Sequence, residues 1–438
     1  MTYPPFMSEL AASMSPGAAS SAVEGAQGYR KITRCRVSGS PRLEHLLDLG
    51  LQASAGVFPA SSSDPVVRAP LELVWCPDSG LVQLAHTCDA ETMFGDNYGY
   101  RSSLNQSMVA HLGHKVAFLE RLAHLQPGDV VVDIGSNDAT TLKAYRTPGL
   151  QRIGIDPTGR KFSRFYDEGI QLVPDFFSEA AFQAAQPRGR ARIVTSIAMF
   201  YDLDEPVAFA RQVESILADD GIWHLEQSYL PAMLRANSYD TVCHEHLTYY
   251  SLQTLKAVMD AAKLRIIDVT QNDVNGGSFA VTVTRRSNRA VPGNDAVVRW
   301  MLENEQRMGL HTAEPYRAFA ARVLQHRQAL LELVQALVAE GRTILGYGAS
   351  TKGNVMLQYC GFSRAQIAAI AEVNSDKFGH VTPGTHIPIV SEAQAQGMAP
   401  DHYLVLPWHF RDGILRREEA FRHRGGRFIF PFPEVTIV

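Results

Sequence analysis

Val130-Val131-Val132-Asp133-Ile134-Gly135-Ser136-Asn137-Asp138 decides how the rest of this chain is read. Its β-branched run predicts a fully buried strand, and the single glycine predicts a turn. The small polar residues that follow open a helix at Ala139-Thr140-Thr141-Leu142. In an open parallel sheet, ligands sit beyond the carboxyl ends of strands, where the strand order reverses. The turn from Gly135 to Asp138 is placed for such a ligand.

The next apolar run, Arg152-Ile153-Gly154-Ile155-Asp156, ends in a carboxylate, which suits a bidentate hydrogen bond to ribose hydroxyls. The stretch contains no G-x-G-x-x-G, so it provides no glycine-lined approach to a pyrophosphate. A cofactor with a ribose and no phosphates therefore fits better than NAD, and S-adenosylmethionine (SAM) is the candidate. Asp133, Gly135, Ser136, Asn137, Asp138 and Asp156 are its expected contacts. The competing reading is an ordinary sheet turn with Asp133 as a helix cap.

Working outward, Asn105 to Leu125 has a helical pattern, closed by Gln126-Pro127-Gly128-Asp129. Further strands are expected at 192–196, 221–226, 264–269 and 278–284. Strands alternating with helices predict an α/β domain with a mostly parallel sheet covered on both faces. Residues 288–294 form a polar break, and a helix-rich stretch runs to Glu340. Arg342 to Gly348 starts a second αβ series, continued at 367–371, 403–406 and 427–430. Residues 31–104 read as strand-rich and turn-rich. The expected units are a mobile tail over 1–30, then 31–104, 105–287 and 295–438.

At 438 residues the chain is too long for one core, and its formal charge of −4 gives no general attraction to nucleic acid or to anionic membranes. No run of about 20 apolar residues is present, the length a membrane helix needs. Cys35, Cys76, Cys88, Cys243 and Cys360 are odd in number and scattered, which points away from a disulfide framework and toward a reducing, cytoplasmic setting. The Ala-, Ser- and Gly-rich first thirty residues lack the pattern of a signal peptide.

Proton-transfer chemistry concentrates in Tyr239-Asp240-Thr241-Val242-Cys243-His244-Glu245-His246-Leu247-Thr248-Tyr249-Tyr250. Two imidazoles flank a carboxylate, with phenols on either side. Histidines two apart share a face only on a strand and no third ligand is evident, so the segment reads as acid–base machinery rather than a metal pair. A structural polar loop is the competing reading. Tyr249 and Tyr250 read as packing.

A longer list of motifs carries a resemblance. Cys35-Arg36-Val37-Ser38-Gly39, Cys76-Pro77-Asp78-Ser79-Gly80, Tyr98-Gly99-Tyr100-Arg101-Ser102-Ser103, Asp133 to Asp138, Glu226-Gln227-Ser228-Tyr229, His244-Glu245-His246, Asn275-Gly276-Gly277-Ser278 and Gly346-Tyr347-Gly348-Ala349-Ser350-Thr351-Lys352-Gly353 occur in this order. In number and order they resemble the sugar C-methyltransferase family that acts on nucleotide-linked 4-keto-deoxysugars. The resemblance implies an N-terminal zinc-binding module, a central SAM-binding Rossmann-like methyltransferase domain and a C-terminal Rossmann-like domain, with the sugar nucleotide between them.

Methylating carbon requires a base, a donor for the developing enolate oxygen, and placement of the methyl group. The resemblance makes His246 the base, with Glu245 orienting it or the sugar and His244 a second candidate. Tyr98, Tyr100 and Tyr201 are candidate hydroxyl donors. Some family members carry an aromatic hydroxyl where this chain has Cys243, so the enolate donor is expected elsewhere. Gly348, Lys352 and Gly353 are expected at the substrate diphosphate, tight domain packing being the alternative there, and Asn275 and Gly277 beside the substrate.

Two departures from the family pattern stand out. Each expected C-x-x-C pair has lost its second thiol, to Ser38 and to Ser79, leaving Cys35 and Cys76 as weak metal candidates; the module is expected to be held by packing, without zinc. Ala139 stands where the family commonly has glycine, which is harmless if its φ is negative. Three rivals remain: a SAM-dependent O- or N-methyltransferase, a nicotinamide-dependent sugar-nucleotide enzyme, and a non-catalytic binding protein. A monomer or small homo-oligomer is expected.

Overall fold

The computed structural model describes residues 28–89, Met93 and 100–438. Tyr98 and most of the expected tail lie outside the described residues. The N-terminal strands are β1 (Tyr29–Lys31), β2 (Glu44–Ala53), β3 (Arg68–Trp75), β4 (Val82–Leu84) and β5 (His86–Cys88). In β3 the buried positions alternate at Ala69, Leu71 and Leu73, the period of a strand with one face on a core. β1 takes in Tyr29 and Arg30, inside the stretch read as tail. The strand is fixed there by antiparallel pairing with β5 and by an ion pair from Arg30 to Asp204.

The two cysteine motifs form matching turns. The Gly39 N–H donates to the Cys35 carbonyl at 2.9 Å, and the Gly80 N–H to the Cys76 carbonyl at 2.8 Å. Across the turns, Cys35 Sγ lies 3.2 Å from Ser79 Oγ and Cys76 Sγ 3.6 Å from Ser38 Oγ. Two thiols hydrogen-bonded to two hydroxyls do not fit a tetrahedral zinc site, which needs four good donors. Among the described residues no group of three or more His, Cys, Asp or Glu side chains is placed to hold a metal.

The central strands are β6 (Val130–Ile134), β7 (Gln151–Ile155), β8 (Ile170–Val173), β9 (Ala191–Ile197), β10 (Leu217–Ser228), β11 (Thr248–Tyr249), β12 (Leu264–Asn272) and β13 (Ser278–Arg285). All but β11 form one sheet in the order β12-β13-β10-β9-β6-β7-β8. β6 to β10 pair in parallel, while β13 runs antiparallel to both β10 and β12. Every residue of β6 is buried, as its β-branched run requires. Strand order reverses between β6 and β9, which places the ligand crevice at Gly135 on one side and Ala198 on the other.

The helix Gln106–Ala123 packs on this sheet through Leu112, Val116, Leu119 and Ala123, and Asn105 caps it by accepting from the Ser107 N–H at 3.0 Å. Ala139 corrects an expectation. Its φ is +61°, in the left-handed region, so an L side chain sits strained at the start of the helix Thr140–Lys143.

After the helices Asp295–Arg307 and Glu314–Ala339, the chain forms β14 (Ile344–Tyr347), β15 (Ile370–Glu372), β16 (Ile389–Ser391), β17 (His402–Val405), β18 (Arg427–Phe430) and β19 (Thr436–Ile437). Their order is β16-β15-β14-β17-β18-β19, parallel except for the last pair. This is a second Rossmann-like layer.

The parts share one interior. A single apolar cluster joins Leu71 and Leu73 of β3, Met233 and Tyr239, Val323 and Val334 of the long helix, and Leu357, Ile370 and Leu404 of the C-terminal layer. The helix Thr351–Cys360 is tied to β2 through Gln358, whose amide accepts from Ala53 N–H at 2.8 Å and donates to Ala53 O at 3.1 Å. No helix among the described residues is long and apolar enough to cross a membrane.

Candidate active site

The segment from Cys243 to Leu247 is held from several directions. β11, immediately after it, adds to the edge of β4, with Thr248 opposite Gln83. The Leu84 N–H donates to the Leu247 carbonyl at 2.9 Å. The N-terminal module therefore positions the histidine motif against the carboxyl ends of β6 and β9.

Two adjoining cavities meet there, and both are lined by Gly135 and Glu245. The first lies over β7 and takes in Asp156, Thr158, Phe176, Met199, Asp202 and His244. The second lies between the sheet and the C-terminal layer, with Tyr100, Asn137, Tyr201, Gln227, Cys243, His246, Asn275 and Lys352 on its walls.

Gly135 has φ +74°, and a Cβ there would lie 3.1 Å from Met199 Cγ, so only glycine keeps this turn open. Asp156 accepts from the Asn137 N–H at 2.7 Å and from the Thr158 N–H and hydroxyl at 2.7 and 2.6 Å. Both Thr158 bonds fall on Oδ1, while Oδ2 accepts only the Asn137 bond and keeps a second lone pair for a ribose hydroxyl. Gly135 with Asp156 thus fits the nucleoside half of SAM.

Asp133 is only 2% exposed and accepts from the Thr195 hydroxyl. Burial pushes its carboxyl up to about 7, against the hydrogen bonds from Thr195 and Thr141. Asn137 and Asp138 are mostly spent on the backbone, accepting from the Ser102 and Ser103 N–H groups at 3.1 and 3.0 Å. Asp138 lines neither cavity. Ser136 bonds to the Tyr166 hydroxyl at 2.7 Å and lines the second cavity.

The two histidines diverge. His244 Nε2 donates to the Ala69 carbonyl at 2.9 Å, and its ring borders the first cavity. His246 Nδ1 lies 3.0 Å from the Thr241 carbonyl, which requires Nδ1 to carry the proton. Its Nε2 then holds the lone pair. Burial, with the nearby Lys352 charge, takes His246 down to about 3, against the opposing pull of Thr241, so the imidazole is neutral near pH 7. The Tyr201 ring packs 4.2 Å from it, centroid to centroid. Tyr100 is 47% exposed, at the mouth of the cavity. Glu245 Oε2 is buried without a hydrogen-bond partner among the described residues.

The expected diphosphate residues separate. Lys352 Nζ donates to the Asn275 carbonyl at 2.7 Å, and both residues line the second cavity. Gly348, Gly353 and Gly277 line neither. A Cβ on Gly353 would lie 2.5 Å from Leu406 Cβ, so this glycine serves helix-to-strand packing.

Sequence reasoning quoted Glu226 and Gln227, at the end of β10, within a motif but gave neither a role in the site. Glu226 accepts from His111 Nε2, Lys115 Nζ and Asn272 Nδ2, each at 2.6 Å. Burial alone would push its carboxyl up, but the His111 bond and the Lys115 charge outweigh that and hold it at about 2. Asp202 borders the first cavity, and burial next to Glu245 pushes it well above the usual carboxylate range. The signal for Glu226 and Gln227 was their position, at the carboxyl end of an expected strand.

Comparisons with known proteins identify the family. Residues 35–94 match a family described as "Putative zinc binding domain", 108–269 one described as "Methyltransferase domain", and 273–433 the "C-methyltransferase C-terminal domain". The C-methyltransferase NovU of Streptomyces niveus is 33% identical over 412 residues, covering 93% of this chain and 97% of that protein. Among solved structures, the CcbJ methyltransferase of Streptomyces caelestis covers 40% of this chain and 89% of its own at 12% identity and a TM-score of 0.31. A SAM-dependent methyltransferase of Clostridium acetobutylicum covers 40% and 92% at 10% identity and a TM-score of 0.32. The chain belongs to the C-methyltransferase family and is a SAM-dependent enzyme.

Proposed function

We propose that the protein methylates the carbon beside the ketone of a nucleotide-linked 4-keto-deoxysugar, with His246 as the base. The observation that carries this reading is the fixed tautomer of His246. Its Nδ1–H is spent on Thr241, which leaves the Nε2 lone pair free, and His246 lines a cavity shared with the Gly135 turn. A neutral, oriented imidazole has its lone pair available to take a proton from a carbon acid. As the proton leaves for Nε2, the C–H electron pair becomes the enolate double bond and the ketone oxygen takes the charge. Gly135 and Asp156 would hold SAM, whose sulfonium would supply a methyl group to that carbon and leave as the neutral thioether. Glu245 borders both cavities and orients the sugar, and Lys352 presents a cation to the anionic end of the substrate.

Proton exchange tests the reading against O- or N-methylation. In heavy water, with a nucleotide-linked 4-keto-deoxysugar, the enzyme should wash deuterium into the carbon beside the ketone. His246→Ala should lower both exchange and methyl transfer at least about 100-fold, the usual worth of a positioned general base. Methyl transfer without exchange, or a near-wild-type His246→Ala enzyme, would sink the proposal.

A further inference from the structure

Gln227 is 2% exposed and lies on the wall of the cavity that contains His246. Neither its amide oxygen nor its amide nitrogen has a hydrogen-bond partner among the described residues. Leaving a buried donor and acceptor both unmade is costly, about 1–3 kcal/mol for each group, and native proteins rarely carry such an amide without a use.

Several neighbouring polar groups are committed. Glu226 holds His111, Lys115 and Asn272. Lys352 donates to Asn275, Ser278 donates to the Val274 carbonyl at 2.9 Å, and Thr140 donates to Asp138. The Cys243 thiol is pushed well above its usual range by burial, with Glu245 and Asp202 adding to the effect, so it is a weak donor. Among these groups Gln227 alone keeps both a strong donor and an acceptor unspent.

Its place in the sheet adds to the case. β10 and β13 pair Gln227 opposite Phe279 in a regular ladder, one residue beyond the last β9 pair at Glu226, so its backbone is fixed on the β13 side of the strand. A side chain on a paired central strand is pre-organised, which is what stabilisation of developing charge requires. An amide with both ends free suits a ligand that offers an oxygen acceptor and a hydroxyl donor on neighbouring atoms, as an α-hydroxy ketone does.

We propose that Gln227 is a catalytic residue whose amide N–H₂ donates to the ketone oxygen of the sugar as it becomes an enolate, while its amide oxygen accepts from a neighbouring sugar hydroxyl. The inference rests on the keto-sugar reading above. It assigns the oxyanion donor to a residue outside the tyrosines that the sequence suggested.

Gln227→Met and Gln227→Glu test it. Methionine keeps the length and removes both polar ends; glutamate keeps the shape and replaces the donor with a charge that repels an enolate. Both should bind SAM as the wild type does by calorimetry. Gln227→Met should have an unchanged or higher Tm, because it removes an unsatisfied amide. At saturating sugar nucleotide, deuterium exchange should fall about 100-fold or more in both, the usual worth of one oxyanion donor. A Gln227→Met enzyme within threefold of the wild-type exchange rate overturns the assignment. Loss of exchange together with loss of SAM binding and a lower Tm in both variants also overturns it, in favour of a structural role. Absence of exchange in the wild type is a different result: it removes the keto-sugar reading, and this inference with it.

Discussion

Ala139 shows how one residue can be visible in sequence and still be misread. Its place in the cofactor loop was legible, but the sign of φ was not, because the chain around it closes through a backbone bond from Ala139 N–H to the Ser136 carbonyl. At φ +61° an L residue pays about 1–2 kcal/mol of strain. The Ala139 methyl is fully buried among Leu142, Val131 and Tyr145, which returns about 0.8 kcal/mol. Glycine would also cost about 0.4–1 kcal/mol through the freedom of the unfolded chain. These terms nearly cancel. Ala139→Gly should therefore change the unfolding free energy by less than about 1 kcal/mol, whereas Ala139→Val, which adds β-branching at positive φ and two methyls to a closed site, should lose about 3 kcal/mol or more. Urea titration of both variants checks this; a glycine variant destabilised by more than about 2 kcal/mol would contradict the balance. The same scale explains Gln227 and Asp202. Gln227 stood out in sequence only through its motif and its place at a strand end, and Asp202 not at all; buried polar atoms without partners single out both.

At the scale of elements, the sequence was most readable where burial leaves no choice. Val130–Ile134 and Arg427–Phe430 are strands over the expected residues, and the helix expected over 105–125 runs from Gln106 to Ala123. Ile170–Val173 and Ile389–Ser391 were missed because short strands carry too few residues for a period to show. What periodicity could not reveal is how elements are joined by charge. His111 and Lys115, one turn apart on a helix, both reach Glu226 on β10, and Lys115 Nζ also lies 3.4 Å from His224 Nε2. The Lys115 and Glu226 side chains are 12% and 3% exposed, so water cannot replace a lost partner. Breaking a buried pair from one side typically costs about 3–5 kcal/mol. Lys115→Met should fall at the low end, about 3 kcal/mol, because His111 and Asn272 still face the carboxylate. Denaturant midpoints measure it, and a loss below about 1 kcal/mol would mean that Lys115 contributes little beyond its methylenes.

The molecule as a whole stores a pH dependence that no single motif announces. Burial lowers the pKa of His86, His224, His244, His246, His326, His402 and His409, with His224, His246 and His409 taken to about 3. These side chains fold neutral, whereas in the unfolded chain they take up protons below about 6.5. Between pH 6.5 and 3 the unfolded state therefore binds more protons, and stability is lost as pH falls. Glu226, held at about 2, acts in the same direction below its unfolded value near 4.5. The raised acids oppose this: Asp133 at about 7, with Asp202, Asp240 and Glu305, binds protons in the folded state, which adds stability as pH falls from neutrality. The largest shifts set three histidines, His224, His246 and His409, against two carboxyls, Asp133 and Asp202, which leaves about one unmatched proton. With each unmatched proton worth about 1.4 kcal/mol per pH unit, the unfolding free energy should drop on the order of 1 kcal/mol per unit near pH 5.5. Urea midpoints at pH 7, 6 and 5 give the slope, and a flat or rising profile toward acid would show that the buried acids outweigh the histidines. His224→Gln separates the two contributions, because it deletes one neutral histidine that bonds Thr282 at 2.9 Å and should reduce the slope by about one proton's worth. The reason that such a group was not legible in the sequence is physical: histidines scattered from residue 86 to 409 become one acid-sensitive set only when three layers of structure close over them.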